Sequence, residues 1–351
     1  MRRLRVHITL SSVVLALAGC TSGGRGPTVP DSTAPAAGSS DRPAPLRMID
    51  VRDAAELTRA LADARAGDAI HLADGTYAGQ FKIVKSGTAQ APITLYGSRR
   101  AVIDGEGTSK GRTIELTASY WRLQGFTITN GQKGLMALGA QHTVVDGLLV
   151  HTIGDEAIHF RDDSSDNIIR NSEVRDTGLR RPEYGEAIYL GQAASNWTNG
   201  PDRSDRNKVL NNVLGPGIAA EHVDVKEGTT GGEVRGNVFD GRGQTGENSG
   251  ESWVNVKGND YAIADNKGIA AYASGFKTRV EVDGWGCGNT FRGNTGSVAP
   301  YKVNQGWAFD IHGRNAECKG HENVVCADNT VQPGGAGFSD VPAVTCPAAK
   351  S

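Results

Sequence analysis

Aromatic residues occupy only 6% of the 351 positions, the net charge is -2, and no apolar run approaches the ~20 residues that a membrane-spanning helix needs. With neither an excess of positive charge nor a basic block, nucleic acid is excluded as a partner. Leucine-rich repeat phrases and Trp-Asp dipeptides are missing, so neither a leucine-rich horseshoe nor a propeller accounts for the repeats described below. There are five cysteines, none in a Cys-x-x-Cys pair, which argues against a zinc knuckle. What is plentiful is glycine, 47 residues, and short stretches in which apolar and polar residues alternate.

Those stretches recur. Glu156-Ala-Ile-His-Phe-Arg161, Glu186-Ala-Ile-Tyr-Leu-Gly191, Glu221-His-Val-Asp-Val-Lys226, Ser252-Trp-Val-Asn-Val-Lys257, Arg279-Val-Glu-Val-Asp283 and Ala308-Phe-Asp-Ile-His312 each read as one strand. Period-two alternation turns Ile158/Phe160, Ile188/Leu190, Val223/Val225, Val254/Val256, Val280/Val282 and Phe309/Ile311 inward. The opposite face then carries His159/Arg161, Tyr189/Gly191, His222/Asp224/Lys226, Trp253/Asn255/Lys257, Arg279/Glu281/Asp283 and Asp310/His312. A second motif follows most strands, an apolar residue three positions before Asn171, Asn212, Asn237, Asn266, Asn294 and Asn329, with Gly147 and Gly125 continuing it upstream. The steps run from 22 to 41 residues, as in a solenoid whose loops vary in size. Asparagine tolerates the left-handed backbone of a tight corner, and stacked amides can bond from coil to coil. Val- and Ile-rich strands with Gly corners predict an all-β fold, a single-stranded right-handed parallel β-helix.

The reading divides the chain into residues 1–20, 21–46 and 47–351. Basic residues at Arg2, Arg3 and Arg5, the apolar run Ile8 to Leu17, and Leu17-Ala-Gly-Cys20 resemble a bacterial lipoprotein signal peptide, which implies lipidation of Cys20, export, and anchoring at the cell membrane facing outward. The Ser/Pro/Gly/Ala segment 21–46 cannot bury enough apolar surface to fold and reads as a tether. In the remaining domain, expected to be a monomer, Asp53-Ala-Ala-Glu56 is a capping box, followed by Leu57, Ala60, Leu61 and Ala64 on one face of a helix that would lid the first coil. Near the other end, Cys287, Cys318, Cys326 and Cys346 favour disulfides in an exported chain. The coil spacing favours pairing 287 with 318 and 326 with 346.

The phrases Ala66-Gly-Asp-Ala-Ile-His-Leu-Ala-Asp-Gly-Thr-Tyr77, Lys85-Ser-Gly-Thr88, Ala91-Pro-Ile-Thr-Leu95 and Val102-Ile-Asp-Gly-Glu106 resemble the first coils of the chondroitinase-B and alginate-lyase group of parallel β-helix polysaccharide lyases. That group has a Glu five residues before a catalytic Lys, and an Arg one coil on. Glu221 and Lys226 have this spacing, and Lys257 stands where the Arg would be. The resemblance implies a Ca2+ ion on acidic and amide side chains, here Glu186 and Glu221 with Glu156 or Asp155 below, and an acidic polysaccharide as partner. β-Elimination on a uronate needs a neutralised carboxylate, a base for the C5 proton and an acid for the leaving oxygen; a hard cation on oxygen ligands suits the first. Coils stack about 4.8 Å apart, so Lys226 and Lys257 can meet over one ring. As base, Lys226 needs its pKa brought from about 10.4 to near 7. Tyr189, His222, Asp224, Arg161 and Arg279 are candidates for proton donation and substrate contact, and Trp253 for stacking on a sugar. Two other readings stay open. A glycoside hydrolase would use carboxylate pairs such as Asp162-Asp163 or Asp155-Glu156, although the Asn-Thr-Asp and Gly-His-Gly phrases of polygalacturonases are missing. A surface β-helix that binds glycans without turnover would need no base.

Overall fold

The computed structural model describes residues 45–300, 306–311 and 318–347. Segment 1–20 with Cys20, expected to be a signal peptide, all but the last two positions of the expected tether 21–46, and His312 lie outside the described residues. The chain winds through three parallel sheets in strict rotation, forming a right-handed parallel β-helix. Among the described residues, sheet I has eleven strands, from Arg47–Val51 to Val324–Val325; sheet II has ten, from Gly75–Ala78 to Thr330–Gln332; sheet III has ten, from Phe81–Ile83 to Gly337–Ser339. Sheet III carries the strands singled out above: Ile158–Arg161, Ile188–Leu190, Val223–Val225, Ser252–Val256 and Trp307–Ile311.

The inward residues pack as the alternation predicts. Ile158, Phe160, Ile188, Leu190, Val223, Val225, Val254, Val256, Phe309 and Ile311 are all fully buried. One strand is displaced from its expected place. Arg279–Asp283 lies beyond the sheet, and the strand is Ser274–Thr278, with Phe276 inward and Lys277 outward. Phe276 wins the core position because its ring stacks on Phe309 at 5.1 Å, whereas Val280 and Val282 remain half-buried.

The asparagine motif separates into two columns one residue apart. Asn212, Asn237, Asn266, Asn294 and Asn329 form a buried ladder in which each amide donates to the next coil's Oδ1 at 2.9–3.0 Å. The left-handed corner belongs to the preceding residue: Asn211 (φ 57°), Gly236 (φ 68°), Asp265 (φ 56°) and Gly293 (φ 61°). Asn171 (φ 52°) sits in that corner column, and Ser172 takes the ladder place, where its amide donates to Asn212 Oδ1. The apolar-to-Asn spacing was therefore one residue short in that coil.

The amino end is covered by a helix, and the last coils are stapled by disulfides. At the amino end, helix Ala54–Ala62 is capped by Asp53, which accepts from the Glu56 amide at 2.8 Å, while Glu56 accepts from the Arg52 amide. Leu57, Ala60, Leu61 and Ala64 are buried, covering the first coil. At the other end, disulfides join Cys287 to Cys318 and Cys326 to Cys346, with Cα–Cα distances of 5.4 and 5.5 Å. The second holds the tail in place, with Val344 donating to the Val325 carbonyl beside it.

Candidate active site

The outer face of sheet III brings three columns together. Register places Lys133, Glu156, Glu186 and Glu221 in one; His159, Tyr189, Asp224, Asn255, Lys277 and Asp310 in the next; and Lys226, Lys257 and Arg279 in a third. Glu221 reaches this face because the alternation breaks at the corner leading into the sheet. His222 and Val223 both turn inward there, so the residue before them points out.

The same break removes two expected substrate contacts. His222 is fully buried, its Nε2 donating to the Asp240 carbonyl at 2.9 Å and its ring against Phe239. Trp253, its neighbour one coil on, is also fully buried, with Nε1 donating to the Ala270 carbonyl at 3.0 Å. Its indole lies over Gly268 and Gly275, where an added Cβ would come within 2.4 and 2.9 Å of the ring. Both side chains fill the interior and cannot stack on a sugar.

At the centre, Asp224 is gripped by two lysines. Lys226 Nζ lies 2.8 Å from Oδ2 and Lys257 Nζ donates to Oδ1 at 2.6 Å. Burial pushes the Asp224 carboxyl up, but the two ammonium groups outweigh it and hold the group below its usual range. Lys226 responds in the opposite sense to the one expected. Burial would lower it, yet Asp224 and Tyr189 raise it well above the ordinary lysine value, so in this arrangement it holds its proton. The Tyr189 phenol is likewise pushed well up, by burial first. Its ring stacks on His159 at 4.1 Å, and His159 Nε2 donates to the Gly191 carbonyl at 2.8 Å.

Beside this cluster, Glu186, Glu221 and Asp224 bring carboxylate oxygens within 4.8 Å of one another. Burial and the neighbouring carboxylates push Glu186 well above its ordinary value; burial and Asp224 also raise Glu221. Asn255 Nδ2 donates to Glu221 Oε1 at 2.9 Å. Among the described residues, Glu186 Oε2 and Asn255 Oδ1 are buried without a hydrogen-bond partner. Several oxygen donors, two of them unsatisfied, fit a hard cation such as Ca2+. Glu156 does not join them, because Lys133 binds both its oxygens at 2.6 and 2.5 Å; burial pushes its carboxyl up, but His159 first and Lys133 next outweigh that and leave it ionised, with a pKa of about 2. Asp155 is likewise taken, by Arg180 at 3.0 and 2.5 Å.

Arg161 stands on the groove, paired with Asp162 at 3.0 Å, and Arg279 continues the lysine column next to Glu281. The carboxylate pairs that a hydrolase would use are engaged elsewhere: Asp155 and Glu156 as above, Asp162 by Arg161, and Asp163 by the Arg203 amide. Sequence reasoning missed His159, Asn255, Lys133 and Lys277 as parts of the site. The first two lie in the alternating strands and only needed their column read across coils. Lys277, buried between Glu251 at 3.4 Å and Asp310 at 3.7 Å, was hidden by the displaced strand.

The family model for the Pel9A-like, right-handed β-helix region matches residues 49–177. Comparison with curated proteins gives no match. Among solved structures, the chain is 38% identical to an alginate lyase from Paenibacillus sp. str. FPU-7, over 86% of this chain and 99% of that one, with a TM-score of 0.78. It shares its fold with pectate lyase Pel9A (TM-score 0.64, 15% identity, 87% of this chain and 82% of that one). The same holds for a rhamnogalacturonan lyase (TM-score 0.52, 13% identity, 67% of each chain). Three parallel sheets in rotation, a groove of stacked lysines and carboxylates, and a likeness that spans nearly the whole Paenibacillus enzyme make this chain a member of the right-handed parallel β-helix polysaccharide lyases.

Proposed function

We propose that the protein cleaves a uronate polymer of the alginate type by β-elimination, outside the cell and tethered through Cys20. The observation that carries this reading is the convergence of Lys226 and Lys257 on buried Asp224, beside two unsatisfied oxygens of the acidic cluster. The name of the Paenibacillus relative supports alginate as the polymer. Glu186, Glu221, Asp224 and Asn255 would hold the cation, whose chemistry when bound is to neutralise the uronate carboxylate and so acidify the C5–H.

The chain's own groups supply the proton transfers. For Lys226 Nζ to accept the C5 proton it must first leave Asp224 and release its own proton to solvent, and Lys257, on the other oxygen of that carboxylate at 2.6 Å, keeps Asp224 compensated when it does. This gives the second lysine a role that does not require the arginine found elsewhere in the group. Tyr189 keeps its proton and donates it from Oη to the leaving oxygen. The C5–H and C4–O bonds break, a C4=C5 double bond forms, and the two protons end on Lys226 and on the released sugar. His159 orients the phenol from below.

The test is an ultraviolet scan of reactions with alginate, pectate, glucuronan and chondroitin. Absorbance of an unsaturated uronate with alginate supports the reading. New reducing ends without that absorbance would mean hydrolysis, and binding without either would mean a non-catalytic surface protein.

A further inference from the structure

On the amino-terminal side of Tyr189 the groove deepens into a cleft of about 280 Å³ lined by Lys133, Arg161, Arg180, Arg181, Tyr184 and Tyr189, among others. Lys226 and Lys257 do not line it, since their heads lie on Asp224. The hollow therefore adjoins the catalytic centre and shares Tyr189 with it. Its volume is at the small end of ligand pockets, which begin near ~300 Å³, and suits a short stretch of polymer.

Four cationic side chains line this space, and they are not equivalent. Arg180 is committed to buried Asp155, and Lys133 to buried Glu156. Breaking either pair would strand a carboxylate inside the protein. The partners of the other two keep contact with solvent, Glu183 being half-buried and Asp162 exposed. Arg181, 45% exposed, pairs with Glu183 and lies over the exposed Tyr184 ring at 4.2 Å. Arg161 pairs with Asp162, itself 45% exposed, and with the Gln192 amide oxygen. Pairs of that kind are weak and exchange readily for a better ligand. A guanidinium takes a carboxylate through two parallel N–H bonds, which makes a ligand carboxylate a better partner than either.

We infer that this cleft is a subsite for an ionised uronate ring adjacent to the one being cleaved, with Arg161 and Arg181 receiving its carboxylate and Tyr184 packing on its face. The inference rests on the reading of the protein as a uronate lyase and adds a requirement to it. The polymer must carry a free carboxylate at two places, at the cleaved ring and at its neighbour. Polymers esterified at the neighbouring ring are then poor substrates even where the cleaved ring is free.

Steady-state kinetics on alginate and on its oligomers of defined length test this with Arg161→Met, Arg181→Met and Arg181→Lys. Each Met variant should raise KM roughly tenfold, the size of one charge-assisted bond, with kcat falling by less than about threefold. The gain in kcat/KM with oligomer length should flatten, and Arg181→Lys, which keeps the charge but loses the fork, should fall between. Rising salt should bring the wild-type KM toward that of the variants. Thermal unfolding checks that each variant is folded; because Arg181 and Tyr184 are exposed, Tyr184→Ala is a second probe with no buried pair to break. An active wild type whose KM and length dependence survive in all these variants overturns the subsite alone. A wild type that makes no unsaturated product from any uronate polymer overturns the parent reading, and the subsite with it.

Discussion

The ammonium of Lys226 lies 5.0 Å from the centre of the Tyr189 ring, so the two groups proposed to move protons face each other across one coil step. Removing either should stop turnover without unfolding the protein. Lys226→Ala and Tyr189→Phe are each expected to lower kcat by ~10²–10⁴-fold, the range for a lost general acid or base. Tyr189→Phe keeps the stack on His159, so its melting temperature should hold. Full turnover in Lys226→Ala would remove the base assignment.

Cation dependence can be separated from catalysis. Chelation should lower activity and Ca2+ restore it. Ca2+ at a hundred times its Kd should also stabilise the folded wild type by about 2.7 kcal/mol. Glu186→Gln removes a buried carboxylate that its neighbours already disfavour, so without metal this variant should be at least as stable as the wild type. It should show no thermal shift with Ca2+. A variant that responds to Ca2+ like the wild type would move the ion elsewhere.

His222 makes the protein acid-sensitive in a defined window. Burial lowers its folded-state pKa to about 4 from an ordinary 6.5. Between those values the unfolded chain binds a proton that the folded chain refuses, so stability is complete above pH 6.5 and falls as the pH drops toward 4. The loss amounts to about 3 kcal/mol. Urea titrations across this range should show that slope, and His222→Gln, which can still donate to the Asp240 carbonyl, should flatten it.

The two asparagine columns predict opposite outcomes. Asn266 accepts from the Asn237 amide and side chain and donates to Asn294 Oδ1 and the Val234 carbonyl. Asn266→Ala strands several buried groups and should cost at least about 3 kcal/mol. Asn211→Gly, at the φ 57° corner, should be neutral or stabilising. Chemical denaturation of both variants decides whether the amide ladder or the corner residue carries the stability.

Most of the fold was legible because a solenoid repeats its evidence. Val223/Val225 and Val254/Val256 announce the same strand twice, and the disulfide pairing followed from coil spacing. The errors lie where local pattern and tertiary packing diverge. Arg279-Val-Glu-Val-Asp283 alternates well, but Phe276 fills the core better. Trp253 and His222 have outward parity, but a corner turns them in, and that same corner turns Glu221 out. Catalytic candidates could be placed from a single strand, whereas Lys226's charge state could not. It depends on Asp224, two residues away, being clamped from the adjacent coil by Lys257.

The floor of the groove is drawn from neighbouring turns held in strict register, while its flanks come from loops that vary freely in length. Chemistry and preference are thereby separable to natural selection. A new loop between Gly178 and Gly185 can retune which polymer is admitted while the lysines and carboxylates stay put. Swapping such loops among β-helical lyases is accordingly a direct way to redirect one toward another's polymer.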